Sequence, residues 1–191
     1  MHYQGALYGR LTFISLKVNR KKGTGMSLDT INNANTDKGF DIFESCCCAP
    51  NWIKKMIQAT PFADKTALLA ASDKAFSELD EQDYLIAFQG HPQIGDLNTL
   101  HKKYANTSGT ASHEQAGMSV AETEVLEEMV ALNKAYLDKF GFIFIVCASG
   151  KSAVEMLALI KARIDNDRAT EVDIAGQEQA KITAIRLEKL L

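Results

Sequence analysis

The chain has 191 residues, 46% hydrophobic, 24% charged and 8% aromatic, with 12 Gly and 3 Pro. That composition excludes disordered, fibrous and linker-like classes and fits one domain with a sizeable core. A net charge of −3 gives no global surface for a polyanion, so no nucleic-acid partner is expected; no apolar run approaches the ~20 residues of a membrane-spanning helix, so no membrane partner is expected either.

Charge is unevenly spread. Residues 1–25 carry Arg10, Lys17, Arg20, Lys21 and Lys22 and no acid, leaving 16 basic and 24 acidic side chains for the rest. Arg10 interrupts the apolar stretch and no small-residue cleavage site follows, so this head does not read as a signal peptide. It is expected to lie outside the fold, with the domain at 26–191; the alternative is a basic arm that contacts a partner.

Helical signals follow in chain order. Phe40, Phe43 and Cys47 recur at i, i+3, i+7. Trp52, Met56 and Ile57 continue after a Pro50-Asn51 break, with Asn51 the expected N-cap and Pro61 the stop. Ala63 to Leu79 reads as another helix, and Tyr84 to Phe88 as a short apolar turn before Gly90. Residues 106–111 form a polar loop. Ser119 and Glu122 fit a capping box before Val125, Met129, Leu132 and Tyr136, a run that Gly141 ends. Ser152 and Glu155 fit a second box, and Ala169 to Leu191 closes the chain as a helix. Between the boxed helices, FGFIFIVCA has strand propensity but no strand to pair with, so it is expected as a buried extended connector.

Cys46, Cys47 and Cys48 are adjacent and Cys147 is distant. No CxxC pair exists, and adjacent helical residues point about 100° apart, so the triplet cannot cage zinc alone. The four read as buried or half-buried thiols of a reducing compartment, the cytoplasm; the alternative is a reactive thiol. His91 stands between Gly90 and Pro92 in GHPQIGD, a loop fixed by proline, where a structural cap and a functional group are equally open. His2, His101 and His113 have no such frame and read as surface residues. Glu114 and Gln115 in SHEQAG can face a pocket together or cap a helix. An apolar FIVC wall with Arg163, Arg168 or Arg186 downstream could hold a small anion. No HExxH, P-loop, GxSxG or GxGxxG motif is present, which leaves a cofactor-free reaction or none.

In this order and spacing, NWIKKMIQATPF, GHPQIGD, SHEQAGM, LNKAYLDKFGFIFIVCA and ARIDNDRATE…KITAIRLEKL resemble the OHCU decarboxylase family. Its members are 2-oxo-4-hydroxy-4-carboxy-5-ureidoimidazoline decarboxylases of uric acid degradation. The resemblance runs from about Met26 to the C-terminus. It implies an all-α, single-domain helical bundle that forms a homodimer, takes OHCU as its small-molecule substrate, uses no metal or organic cofactor and yields (S)-allantoin. His91 matches the family's catalytic histidine and Glu114 its catalytic glutamate, so the two are expected to converge on one pocket. Pro92, Gln115 and the backbone at Val146, Cys147 and Ala148 would line the substrate site. Three residues before the glutamate, where the family often has serine, stands Ala111, with Ser112 beside it as the hydroxyl contact. The tail arginine would be Arg163 or Arg186. Two other classes stay open: an all-helical interaction module without catalysis, and a metal-dependent hydrolase using His91 and Glu114.

Deleting residues 1–25 is expected to leave thermal stability and turnover unchanged. A large drop in either, read by thermal denaturation and assay of the truncated chain, would place the head inside the fold or the site.

Overall fold

Polar caps decide where the helices begin. In the computed structural model, which describes residues 25–93, 97, 98, 100 and 120–191, the helices are α1 (Leu28–Asn32), α2 (Thr36–Glu44), α3 (Pro50–Gln58), α4 (Lys65–Ser77), α5 (Glu81–Gln89), α6 (Val120–Phe140), α7 (Ala153–Arg163) and α8 (Arg168–Leu190). Side chains of Ser27, Asn35, Asp64, Asp80, Ser152 and Asp167 accept from the free amides of the helices they precede. No strand occurs among the described residues, and the fold is all-α.

Two expectations need correcting. Asn51 is not a cap: α3 starts at Pro50, whose missing N–H costs nothing at that position, behind Ala49. Asn51 lies inside the first turn and donates its amide to Asp83 Oδ1 at 2.8 Å. The apolar turn expected at Tyr84 to Phe88 is the helix α5, nucleated by a reciprocal box between Asp80 and Asp83. The box at Ser152 and Glu155 forms as expected. Ser119 of the other box, and the head through residue 24, lie outside the described residues. Gly141, at φ +77°, ends α6.

The core is a chain of aromatic contacts. Phe43 of α2 meets Trp52 of α3 edge-on at 6.0 Å, Trp52 meets Phe76 of α4 at 5.7 Å, and Phe76 stacks on Tyr84 of α5 at 6.5 Å. From there Phe88 reaches Phe142 at 5.1 Å, and Phe142 meets Tyr136 of α6 at 5.8 Å. One file of rings therefore joins the N-terminal helices to α6 and to the segment after it. Offset and edge-to-face pairs of this kind add to the burial term. Helix α8 packs on α4 and α5, while α6 packs along α7. Met26 N–H donates to the carbonyl of Leu190, tying the segment before α1 to the end of α8.

Residues 141–152, between α6 and α7, are non-helical, as the FGFIFIVCA reading expected. Phe142 and Ile145 are buried, yet this stretch has no ladder to satisfy its backbone. Side chains do so instead. Arg163 donates from Nη1 to the Ile145 carbonyl at 2.9 Å, Lys151 donates to the Cys147 carbonyl at 2.7 Å, and the Cys147 amide donates to Glu178 Oε2 at 2.7 Å. Arg163 also pairs with fully buried Glu171, through Nε at 2.7 Å and through Nη2, and its guanidinium lies 4.7 Å from the Phe144 ring centroid. Glu171 further accepts from Tyr136 Oη and, at 2.8 Å, from Asn166. Burial raises the Tyr136 phenol far above its ordinary range, so it stays a donor to that carboxylate.

Arg163→Leu strands a buried carboxylate and is expected to cost about 3–5 kcal/mol, whereas Arg163→Leu with Glu171→Leu should recover most of that loss. Urea unfolding of both variants checks this; equal losses would show that the pair is not coupled.

Candidate active site

Helix α8 carries Ile182, Ile185, Arg186 and Lys189 at i, i+3, i+4, i+7, so one face presents all four. That face forms one wall of a cavity of about 430 Å³. Met129 and Asn133 of α6 and Met156 and Ile160 of α7 supply further walls, each as an i, i+4 pair. Residues 143–149 of the connector and the His91-Pro92 loop complete it. The volume lies within the ~300–1,000 Å³ of small-molecule sites.

His91 is placed by the end of α5. Its amide donates to the Phe88 carbonyl at 3.2 Å, and Gly90 lets the turn close: a Cβ there would sit 2.7 Å from Cys48 Sγ. The cysteine triplet underlies this corner. Cys48 Sγ donates to the Ile86 carbonyl at 3.2 Å, and the Cys46 carbonyl accepts from Arg186 Nη1 at 2.8 Å. Cys47 is buried, and burial pushes its thiol up to about 12, so it is no nucleophile.

His91 Nε2 lies 2.6 Å from Gln179 Oε1. Burial lowers the histidine pKa; the Gln179 bond works against that shift and the Arg186 charge adds to it. The imidazole is therefore neutral at pH 7 and able to take up a proton. Arg186 and Lys189 make the cavity cationic, and no Asp or Glu lines it among the described residues. Behind the wall, Glu178 fixes the connector. Burial opposes its charge, but Lys181 and the Cys147 amide hold the carboxyl below its ordinary range.

The structure thus brings His91, Pro92, Val146, Cys147, Ala148 and Arg186 to one cavity. Arg163 is not on its wall; its guanidinium is committed to Glu171 and Ile145. Arg168 holds the Phe140 carbonyl and pairs with Glu81. Ser112, Glu114 and Gln115 lie outside the described residues, as does the expected convergence of Glu114 with His91. Among the described residues, no group of three or more His, Cys, Asp or Glu is placed to share a metal ion. Sequence reading missed Gln179, Asn133 and Lys189. The signal was there for two of them, since Gln179 precedes Arg186 by seven residues and Lys189 follows it by three, all near one helical stripe.

Comparison with known proteins gives a consistent picture. A model of the OHCU decarboxylase family matches residues 32–188. The uric acid degradation bifunctional protein TTL of Arabidopsis thaliana is 36% identical over 154 residues, covering 80% of this chain and 47% of that protein. The chain thus spans about half the length of that relative. A 2-oxo-4-hydroxy-4-carboxy-5-ureidoimidazoline decarboxylase of Halalkalicoccus jeotgali is 25% identical, covering 87% of this chain and 93% of that one. Among solved structures, an OHCU decarboxylase in the presence of (S)-allantoin superposes with a TM-score of 0.63 at 30% identity, covering 82% of this chain and 98% of that chain.

The lowered His91 pKa has a signed consequence. The unfolded imidazole takes its proton near pH 6.5, the folded one only at lower pH. Between those values the unfolded state binds more protons, so stability falls as pH drops below about 6.5. His91→Asn is expected to flatten that part of the stability profile, as read by urea midpoints from pH 7.5 to 5. A profile identical to wild type would show that His91 titrates normally.

Proposed function

The chain belongs to the OHCU decarboxylase family, and on that premise we propose that it decarboxylates OHCU to (S)-allantoin in uric acid degradation, without a cofactor. One observation carries the reading: a single small-molecule cavity holds both a neutral histidine and a cationic arginine. An anionic substrate needs the second, and proton transfer needs the first.

The substrate carries its carboxylate on a ring carbon that also bears a hydroxyl and adjoins a ring C=N. When the bond to CO2 breaks, its electron pair flows into that C=N, so the substrate is its own electron sink. The protein has three tasks. It holds the carboxylate out of the ring plane, so that the breaking bond overlaps the imine. It accepts the hydroxyl proton as the carbonyl forms, and it returns a proton to one face of the neighbouring carbon.

Arg186 serves the first task, with Lys189 beside it on the same helix face. Arg163 shapes the wall by holding Ile145. His91 serves the proton steps, since an imidazole that is neutral at pH 7 has a lone pair free to take the hydroxyl proton and can then give it back. Glu114 orients the hydroxyl or the histidine, and Ser112 and Gln115 complete the polar contacts. Pro92 and the stretch Val146, Cys147 and Ala148 give the ring an apolar seat, which orients it for proton delivery to one face. The family resemblance supports a homodimer. The four cysteines, all free, support a cytoplasmic setting. No helix among the described residues is long and apolar enough to cross a membrane.

Freshly prepared OHCU supplied to the protein should give (S)-allantoin, followed by circular dichroism, and light scattering of the same sample should give a dimer. His91→Asn is expected to lower kcat about 10²-fold or more with folding intact. Arg186→Lys should act chiefly on KM. Wild-type allantoin formation by the His91→Asn protein would overturn the proton role.

A further inference from the structure

Beside the cavity-facing stripe of α8 stand two polar side chains to which the mechanism gives no role. Gln179 and Thr183 are fully buried, one helical turn apart. Buried polar groups of this kind persist only when their bonding is complete. Gln179 Nε2 donates to Thr183 Oγ1 at 3.1 Å, and the Thr183 hydroxyl reaches the Cys47 thiol. With its amide nitrogen engaged there, Gln179 presents its oxygen to His91 Nε2 at 2.6 Å. A carbonyl oxygen can only accept, so the ring nitrogen facing it must carry hydrogen.

We propose that Gln179, locked by Thr183, is a positioning residue that holds His91 in the Nε2–H tautomer and leaves Nδ1 as the atom that exchanges protons with a substrate in the cavity. The imidazole has two nitrogens, and Nδ1 has no partner among the described residues. An amide suits this task better than a carboxylate. A carboxylate at Gln179 would favour the imidazolium and leave no lone pair at neutral pH, whereas a neutral acceptor fixes the tautomer without adding charge. Among the described residues, the other charged or titratable groups in the cavity wall are Arg186 and Lys189 of α8 and Cys147 of the connector. None of them supplies an anion.

The proposal rests on His91 being the proton-handling group of the decarboxylase reading, but its first test needs no substrate. Long-range ¹H–¹⁵N spectra of the full chain, labelled at histidine and assigned with the His91→Asn variant, report which ring nitrogen is protonated above the imidazole's titration. The expected result is Nε2–H in wild type, and a mixture of tautomers in Gln179→Met, with kcat down about tenfold or more and KM little changed. Gln179→Glu should raise the His91 pKa and move the acid limb of kcat/KM to higher pH. Thr183→Ser should behave as wild type, while Thr183→Val should resemble Gln179→Met weakly. A wild-type spectrum showing Nδ1–H overturns the proposal even if every variant misfolds, and so does an unchanged His91 spectrum in Gln179→Met. If the spectra agree but OHCU is not turned over, the positioning stands and the assigned reaction falls.

Discussion

The extended segment between α6 and α7 is the constraint on which the site depends. It is non-helical, its inner side chains Phe142 and Ile145 are buried, and it has no ladder to pair its backbone. The molecule answers with charges. Arg163 reaches the Ile145 carbonyl, and a buried carboxylate, Glu171, holds Arg163 in place. A buried ion pair is a poor source of net stability. Here it supplies geometry: one guanidinium joins α7, α8, the connector and, through Tyr136, α6. The arginine that shapes the wall is therefore distinct from the arginine that faces the cavity, although the two stand 23 positions apart in the same tail.

That division explains what could be read from the sequence and what could not. The connector was legible because FGFIFIVCA between two capped helices is too apolar for a surface loop and has no strand to join. The caps at Ser152 and the terminal helix were legible as local rules. Helix α5 was missed because its apolar core, Tyr84 to Phe88, is short; its true signal is the Asp80 and Asp83 box, where aspartate replaces the more familiar glutamate. Asn51 is a cap only if Pro50 is a break, whereas proline is well suited to a first helical position and α3 begins there. The choice between Arg163 and Arg186 could not be made locally. It depends on Glu171 standing eight residues after one arginine and on which face of α8 meets α5, and both are tertiary facts.

The cavity's electrostatics follow from the same arrangement. Among the described residues Arg186 is held by a neutral carbonyl, that of Cys46, and by no carboxylate, so that contact positions its charge without neutralising it. Lys189 adds a second cation. A half-buried histidine near Arg186 stays neutral, because both desolvation and Coulomb repulsion disfavour its protonated form. An arriving anion would offset part of that repulsion and raise the histidine's basicity, coupling proton uptake to occupancy of the site.

The triple cysteine then has a structural explanation. The turn after α2 meets both the His91 corner and the Arg186 side of α8: two of its cysteines contact α8 and the third contacts the end of α5. Cys46 gives its carbonyl to Arg186, Cys47 fills the space beside Thr183, and Cys48 packs against Gly90. Cys46 and Cys47 are buried, and Cys48 donates to the Ile86 carbonyl at 3.2 Å. A thiol is small, tolerates burial and makes weak hydrogen bonds. With burial holding these thiols protonated, the triplet acts as packing. Its effect on chemistry is indirect, through the two side chains whose positions it fixes.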